Sequence, residues 1–298
     1  MEIAITGSNG LIGRALTTAL HAEGHRVRRV VRSGPGGPDE LAWDPAAGTI
    51  DAARLAGVGA VVHLAGESIA EKRWTDEQKQ KIRESRTSGT TLIARTVAEL
   101  EPRPQVLLSA SAIGWYGDRG DTELTEESPP GEGFLPEVVQ AWEASTAPAA
   151  GAGVRTVMLR TGIVLTAGGG ALAKQLPLFK LGLGGRLGSG RQWIPWISLD
   201  DEVGAMVHLL TADLAGPVNL TGPEPVTNAE FTKTLGRVLG RPTLLPVPKF
   251  GPALLLGREL AEDLLYSSAK VLPRRLQESG YTFRHPTLEA ALRSALAS

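Results

Sequence analysis

The chain has 298 residues, 42% of them hydrophobic, which is enough to bury a large core. Its 31 Lys and Arg against 32 Asp and Glu leave a net charge of -1, so no bulk field draws it to nucleic acid or an anionic membrane; it has no cysteine, which removes disulfides, thiolate nucleophiles and Cys-ligated zinc. Met1 leads straight into an apolar run with no basic stretch or cleavage site, and no segment approaches membrane-span length, so a cytoplasmic location is the default expectation.

Residues 2–6 (EIAIT) read as a strand, GSNGLIG as a glycine turn, and LIGRALTTALHAEG as a helix that stops at Gly24. HRVRRVVR is a second strand ending at Arg32, where SGPGGPD breaks the pattern. A weaker third strand falls near LAWD or GTI. VGAVVHLAG and PQVLLSAS read as buried parallel strands, separated by a long helix in DEQKQKIRESRTSGTTLIARTVAEL. VRTVMLRTGIVL is a further strand after the helical stretch around LPEVVQAWEAST. Strand and helix therefore alternate for 165 residues, which predicts right-handed crossovers and an α/β fold with a doubly wound parallel sheet of the Rossmann kind.

Past Thr166 the pattern changes: TAGGGA, a short helix at ALAKQLPLFKLG and the cluster GLGGRLGSG read as an excursion. RQWIPWISLDDEVGAMVHLL then reads as a strand, a helix cap at Ser198 and a helix, with PVNLTG as one more sheet strand. NAEFTKTLGRVLG, GPALLLGRELAEDLL, SAKVLPRRLQESG and HPTLEAALRSALAS carry helical periodicity. The expected division is a dinucleotide-binding domain over 1–165 and 194–222, and a smaller, mostly helical substrate-side lobe over 166–193 and 223–298.

The glycines at 7, 10 and 13 stand between the first strand and the first helix. Gly7 permits the tight turn, Gly10 lets backbone approach a pyrophosphate, and Gly13 lets the helix pack on the sheet. The first helical residues, Leu11, Ile12 and Gly13, then present free N–H groups to the anion. An acidic residue about twenty positions beyond such a loop accepts the ribose hydroxyls of NAD. Arg32 stands there instead, followed by Ser33, and a guanidinium suits the 2'-phosphate of NADP.

GSNGLIG, HLAGE, SASAIGWYG and LRTGIVL, in that order, resemble the extended short-chain dehydrogenase/reductase group, which includes sugar-nucleotide epimerases and dehydratases. HLAGESIAEKRWT, the SR within IRESRTSGTTLI, GSGRQWIPWISLDD and LPRRLQESGYTFRHPTLEAAL resemble an atypical, epimerase-like branch of it with a small C-terminal module. The resemblance implies that Ala65 and Gly66 pass beside the nicotinamide ribose, and that Ser111 matches a serine that hydrogen-bonds a substrate carbonyl or hydroxyl. It also implies a Tyr and, four residues on, a Lys that lowers the tyrosine pKa for proton transfer. Leu135 and Val139 occupy those places here. The sequence does contain one Y-x-x-x-K, from Tyr266 to Lys270, but it lies in the C-terminal module, away from the cofactor strands.

The polar groups left for chemistry are Ser111, Tyr116 and Glu67, with Lys72 and Arg73 beyond them. Tyr116 either donates to a developing oxyanion or packs with Trp115 over the site; Glu67 is either a desolvated general base or a helix-capping carboxylate. Arg191 and Gln192, after a glycine cluster, are placed to meet substrate, while the neighbouring tryptophans suit either a ring-shaped ligand or the core. Hydrolase motifs are absent, and the five histidines show no shared metal-ligand spacing, so no metal is expected. The reading is an NADP-dependent oxidoreductase or epimerase-like enzyme acting on a small hydroxylated or carbonyl substrate. Its alternative is a non-catalytic NADP-binding sensor or regulator. No nucleic acid or membrane partner is expected, and a homodimer is left open.

Overall fold

The structure, a computed structural model, describes residues 1–297 except Ser33, Pro35 and Lys249. Strand β1 (Glu2–Thr6) is enclosed on both faces, as a central parallel strand must be. Its alternation divides the core. Ile3 and Ile5 pack with Leu16 and Leu20 of α1 (Leu11–Ala22), whereas Ala4 faces the opposite way. After β2 (Arg26–Val31), β3 (Glu40–Asp44) and β4 (Thr49–Ile50) form a hairpin, so both LAWD and GTI supply a strand. The short α2 (Ala52–Leu55) leads to β5 (Ala60–His63), and the long α3 (Asp76–Glu99) crosses over to β6 (Val106–Ala112).

Beyond a 3-10 turn at Ile113–Trp115 come β7 (Glu123–Leu124), α4 (Phe134–Ala144), α5 (Ala147–Gly151), β8 (Arg155–Thr161) and β9 (Ile163–Leu165). Next are α6 (Gly170–Lys180), then β10 (Trp193–Ile194) and β11 (Trp196–Ser198), which Pro195 separates, and α7 (Leu199–Leu209). Ser198 does cap α7, its side chain accepting from Asp201 N. Strand β12 (Gly216–Leu220) closes the main sheet, whose order is β12-β8-β6-β5-β1-β2-β3-β4; every pair is parallel except β3 with β4. Strand order reverses between β1 and β5, and that switch point opens the crevice where doubly wound sheets take ligands. Helices α1 and α7 cover one face; α3 and α5 cover the other.

The rest of the chain is β13 (Val226–Thr227), α8 (Asn228–Leu239), α9 (Phe250–Leu256), α10 (Arg258–Ala261), a π turn at Glu262–Tyr266, β14 (Lys270–Val271), α11 (Arg274–Glu278) and α12 (Leu288–Ala297). Two of the expected helices differ. GPALLLGRELAEDLL is broken at Gly257, whose φ of 91° lies in the left-handed region. SAKVLPRRLQESG begins as β14, parallel to β7, and turns helical only after Pro273. Leu172, Leu176, Phe231, Leu235, Leu288 and Leu292 make a second core with Trp196, so α6, α8 and α12 pack as one unit. Ser268 ties the C-terminal segment to the loop after β6: its carbonyl accepts Arg119 N at 2.8 Å, its hydroxyl donates to Gly120 O at 2.7 Å and accepts Trp193 N at 3.1 Å. No described helix is long and apolar enough to cross a membrane.

Candidate functional site

The three glycines of the first turn have separate geometric reasons. A Cβ on Gly13 would lie 2.3 Å from Gly7 O, and one on Gly7 would lie 2.9 Å from the backbone at Leu64. Gly7 also has a φ of 67°. A Cβ on Gly10 meets only Gly7 O, at 3.2 Å, and otherwise points into open space. The turn is thus clamped at both ends and open at its centre, where α1 begins without a side-chain cap. Orphan N–H groups at a helix start with clear space before them form an anion seat.

Thr6 fixes the opposite wall. Its Oγ1 accepts Leu64 N at 3.0 Å and Ala65 N at 3.2 Å, holding the loop that carries Ala65, Gly66 and Glu67 against Gly7. Gly66 is exposed, Ala65 and Glu67 are half-buried, and Glu67 N donates to Ser85 Oγ at 3.1 Å.

At the end of β2, Arg32 is exposed on the loop, and Ser33 lies outside the described residues. Sequence reading missed Arg29. Its guanidinium donates to Asn9 Oδ1 in the glycine turn and pairs with Glu40 at 2.9 Å, while Glu40 also accepts Gly36 N. An arginine inside a strand, beside a turn already identified, was the available signal.

At the end of β6 the structure brings together residues far apart in sequence. Ser111 sits opposite Arg160 in the β6–β8 register, and Glu143 of α4 reaches between them. Ser111 Oγ donates to Glu143 Oε1 at 2.6 Å, and Arg160 grips the same carboxylate through Nε at 2.8 Å and Nη2 at 2.9 Å. All three are buried. Two guanidinium N–H groups and the serine hydroxyl all donate to this carboxylate, so the Ser111 proton is committed to it and the hydroxyl's lone pairs remain free to accept.

Tyr116 is placed differently from the expectation of an available phenol. It has no exposed surface; its OH lies 2.7 Å from Asn219 Oδ1 and 3.0 Å from Thr125 O, and receives a bond from Arg160. Burial pushes its pKa up to about 12. The 3-10 turn of Ile113–Trp115 carries the ring inward, leaving Trp115 over the Arg160 guanidinium at 3.9 Å. Leu135 and Val139 pack behind this turn, on Gly114.

A cleft of about 760 Å³ opens on the side of the C-terminal segment, lined by Asp121, Arg186, Arg191, Gln192, Tyr266 and Ser268 among others. Arg191 is exposed there. Gln192 is buried, its amide bracing Leu187 O and Leu265 O at 3.2 and 3.0 Å, so it shapes the wall. Lys270 is taken up by Glu123 at 2.9 Å and lies over the Trp193 ring, which separates its chemistry from that of Tyr266.

Residues 3–221 match the model of the NAD dependent epimerase/dehydratase family. The chain belongs to that family. Residues 247–295 match a second model, the domain of unknown function DUF1731. Among family members, an epimerase family protein of Mycobacterium tuberculosis is 45% identical over 97% of this chain and 96% of its own length. The human epimerase family protein SDR39U1 is 37% identical over the whole of both chains. A crystal structure of human SDR39U1 (isoform 2) with NADPH is 35% identical, with a TM-score of 0.91 and coverage of 100% of this chain and 99% of that one. The family places this chain among NAD(P)-binding proteins of the epimerase and dehydratase type, with the epimerase-like match and the C-terminal module both as the sequence resemblance implied.

Proposed function

We propose that the protein holds NADP(H) across Gly7, Gly10 and Gly13 and acts as an epimerase-like oxidoreductase on a small hydroxylated or carbonyl substrate. The observation that carries this reading is the glycine turn, closed to a Cβ at Gly7 and Gly13 but open at Gly10, so that the residues present fit a dinucleotide pyrophosphate. When bound, the nicotinamide supplies or takes up a hydride. The N–H groups of Leu11, Ile12 and Gly13 seat the pyrophosphate, and Arg32 with Ser33 meets the 2'-phosphate. Ala65 and Gly66 leave room at the nicotinamide ribose, and Ser111 accepts a hydrogen bond from a substrate hydroxyl while Glu143 holds the serine proton. Arg191 faces the polar end of the substrate in the cleft, and Glu67, on the loop after Gly66, meets substrate from the crevice side. The NADPH in the human SDR39U1 structure supports the choice of cofactor.

A second reading, a cofactor-dependent sensor, is favoured by one observation: the proton-shuttle positions hold Leu135 and Val139, and the phenol of Tyr116 is locked in the core. Titration with NADPH and NADH, followed by absorbance assays on a panel of carbonyl compounds and nucleotide sugars, separates these. Tight NADPH binding with turnover supports the enzyme; tight binding with none supports the sensor; no binding removes both.

A further inference from the structure

Arg86, midway along α3, has no role in the foregoing account. Its Nη1 donates to Ile82 O at 3.1 Å, and its guanidinium lies 5.0 Å from the centre of the Trp142 ring on α4. Among the described residues no carboxylate lies within ion-pair distance of it, although fifteen other basic side chains have such partners. A guanidinium has five N–H donors, and one hydrogen bond leaves most of them unspent in a half-buried place where water is scarce.

Its neighbour is the crevice. A Cβ placed on Gly66 would lie 3.8 Å from Arg86 Cγ and Cζ and 3.9 Å from Nη1, so the guanidinium backs directly onto the loop at the sheet's switch point. Burial pulls the Arg86 pKa down to about 10, which still leaves it charged at neutral pH. The acid whose field reaches it is Glu67, on the same loop; Glu143, next to Trp142, is already neutralised by Arg160.

We propose that Arg86 biases the cofactor site toward the reduced form, NADPH, by placing a positive charge that no ion pair among the described residues neutralises beside the part of the crevice that receives the nicotinamide. The oxidised ring carries one more positive charge than the reduced ring, so a fixed cation at that wall repels only the oxidised state. Glu67 opposes this bias from the same loop. The inference rests on the cofactor reading above and deepens it: the protein favours reductive chemistry, or as a sensor reports NADPH in preference to NADP⁺.

The test is calorimetric titration of the full chain with NADPH and with NADP⁺, separately, at low salt and neutral pH, for the parent, Arg86→Gln and Arg86→Lys. The parent is expected to favour NADPH, the Gln variant to move the affinity ratio about tenfold toward NADP⁺, and the Lys variant to keep most of the parent ratio. A merely structural arginine would weaken both forms alike, so an unchanged ratio in Arg86→Gln overturns the proposal. Should Arg86→Gln fail to fold, Glu67→Gln decides: removing the opposing charge must widen the NADPH preference, and a ratio equal to or below the parent's overturns it. A parent that binds both forms equally overturns this inference alone, whereas a parent that binds neither overturns the cofactor reading.

Discussion

Thr6 Oγ1 donates its proton to His63 Nδ1 at 2.7 Å, because the same oxygen already accepts the N–H groups of Leu64 and Ala65. A hydroxyl with two incoming bonds has only its own hydrogen left to give. His63 is therefore the neutral, Nε2-protonated tautomer, set edge-on to Trp43, and burial pushes its pKa down to about 4. One threonine thus positions the loop of Ala65 and Gly66 and hydrogen-bonds an imidazole that burial keeps uncharged beneath it.

Stability should fall between pH 6.5 and pH 8. Burial raises the pKa of Glu202 from 4.5 to about 8, so over that interval the folded chain retains a proton that the unfolded chain has lost, and stability declines as pH rises. His63 acts oppositely between about 4 and 6.5, where the unfolded chain takes up a proton the folded chain refuses; stability there rises with pH. Above 6.5 the histidine contribution is spent and that of buried Glu202 remains. Glu202→Gln keeps an acceptor for Thr161 and should flatten the decline. Melting temperatures across a pH series check this; a midpoint that stays level or climbs from 6.5 to 8 in the parent contradicts it.

Gly10→Ala and Gly13→Ala should separate binding from folding. The Gly13 methyl would sit 2.3 Å from a backbone oxygen that cannot yield, which should cost about 3 kcal/mol of stability or more. The Gly10 methyl meets one atom at 3.2 Å and should leave the melting temperature within a few degrees while weakening NADPH binding at least tenfold. Differential scanning fluorimetry with and without NADPH distinguishes them. Equal melting temperatures for the two variants would show that the turn is not clamped as described.

Glu143→Ala should destabilise the protein by about 3 to 5 kcal/mol, because it strands Arg160 as an uncompensated buried charge. Ser111→Ala removes one donor from a carboxylate that retains its arginine, and should cost only about 1 to 2 kcal/mol. Denaturant unfolding of both variants gives the comparison. If Glu143→Ala proves no more costly than Ser111→Ala, the ion pair is not what holds this end of the sheet.

Tyr116→Phe should lower stability by about 1 to 3 kcal/mol and leave NADPH affinity unchanged, since the hydroxyl serves Asn219 and Arg160 inside the core. Paired unfolding and titration measurements settle this. A loss of cofactor affinity with intact stability would return the phenol to the crevice.

Arg32→Asp should abolish or reverse the preference for NADPH over NADH, a loss of about 1 to 3 kcal/mol in charge-assisted contacts. Competitive titration of the two cofactors measures it. Equal affinities in the parent would remove the 2'-phosphate role from Arg32.

What could be read from sequence was whatever depends on neighbours along the chain. The alternation of strand and helix, the Ser198 cap and the triad Gly7, Gly10 and Gly13 are local patterns, and each took the form its spacing required. Tyr116 was not legible because a single 3-10 turn decides whether the ring faces the crevice or the core. Glu143 was not legible as the partner of Ser111, 32 residues away, since their meeting depends on how α4 lies over the β6–β8 register. Gln192 looked like a ligand-facing amide because glycines precede it, yet two carbonyls that only the folded chain supplies take both of its N–H bonds.

Ser268 also sets an order of assembly. The ribosome adds about 5 to 20 residues per second, so the strands that frame the cofactor crevice, complete at Leu220, are made seconds before Ser268 and before β14 can lie beside β7. A nascent chain thus owns its nucleotide seat while the far wall of the 760 Å³ cleft is still unbuilt. Arrested chains of increasing length should retain NADPH before the loop at 118–124 becomes resistant to protease. The C-terminal segment then works as a closing stitch, and its late synthesis determines when this cleft first exists.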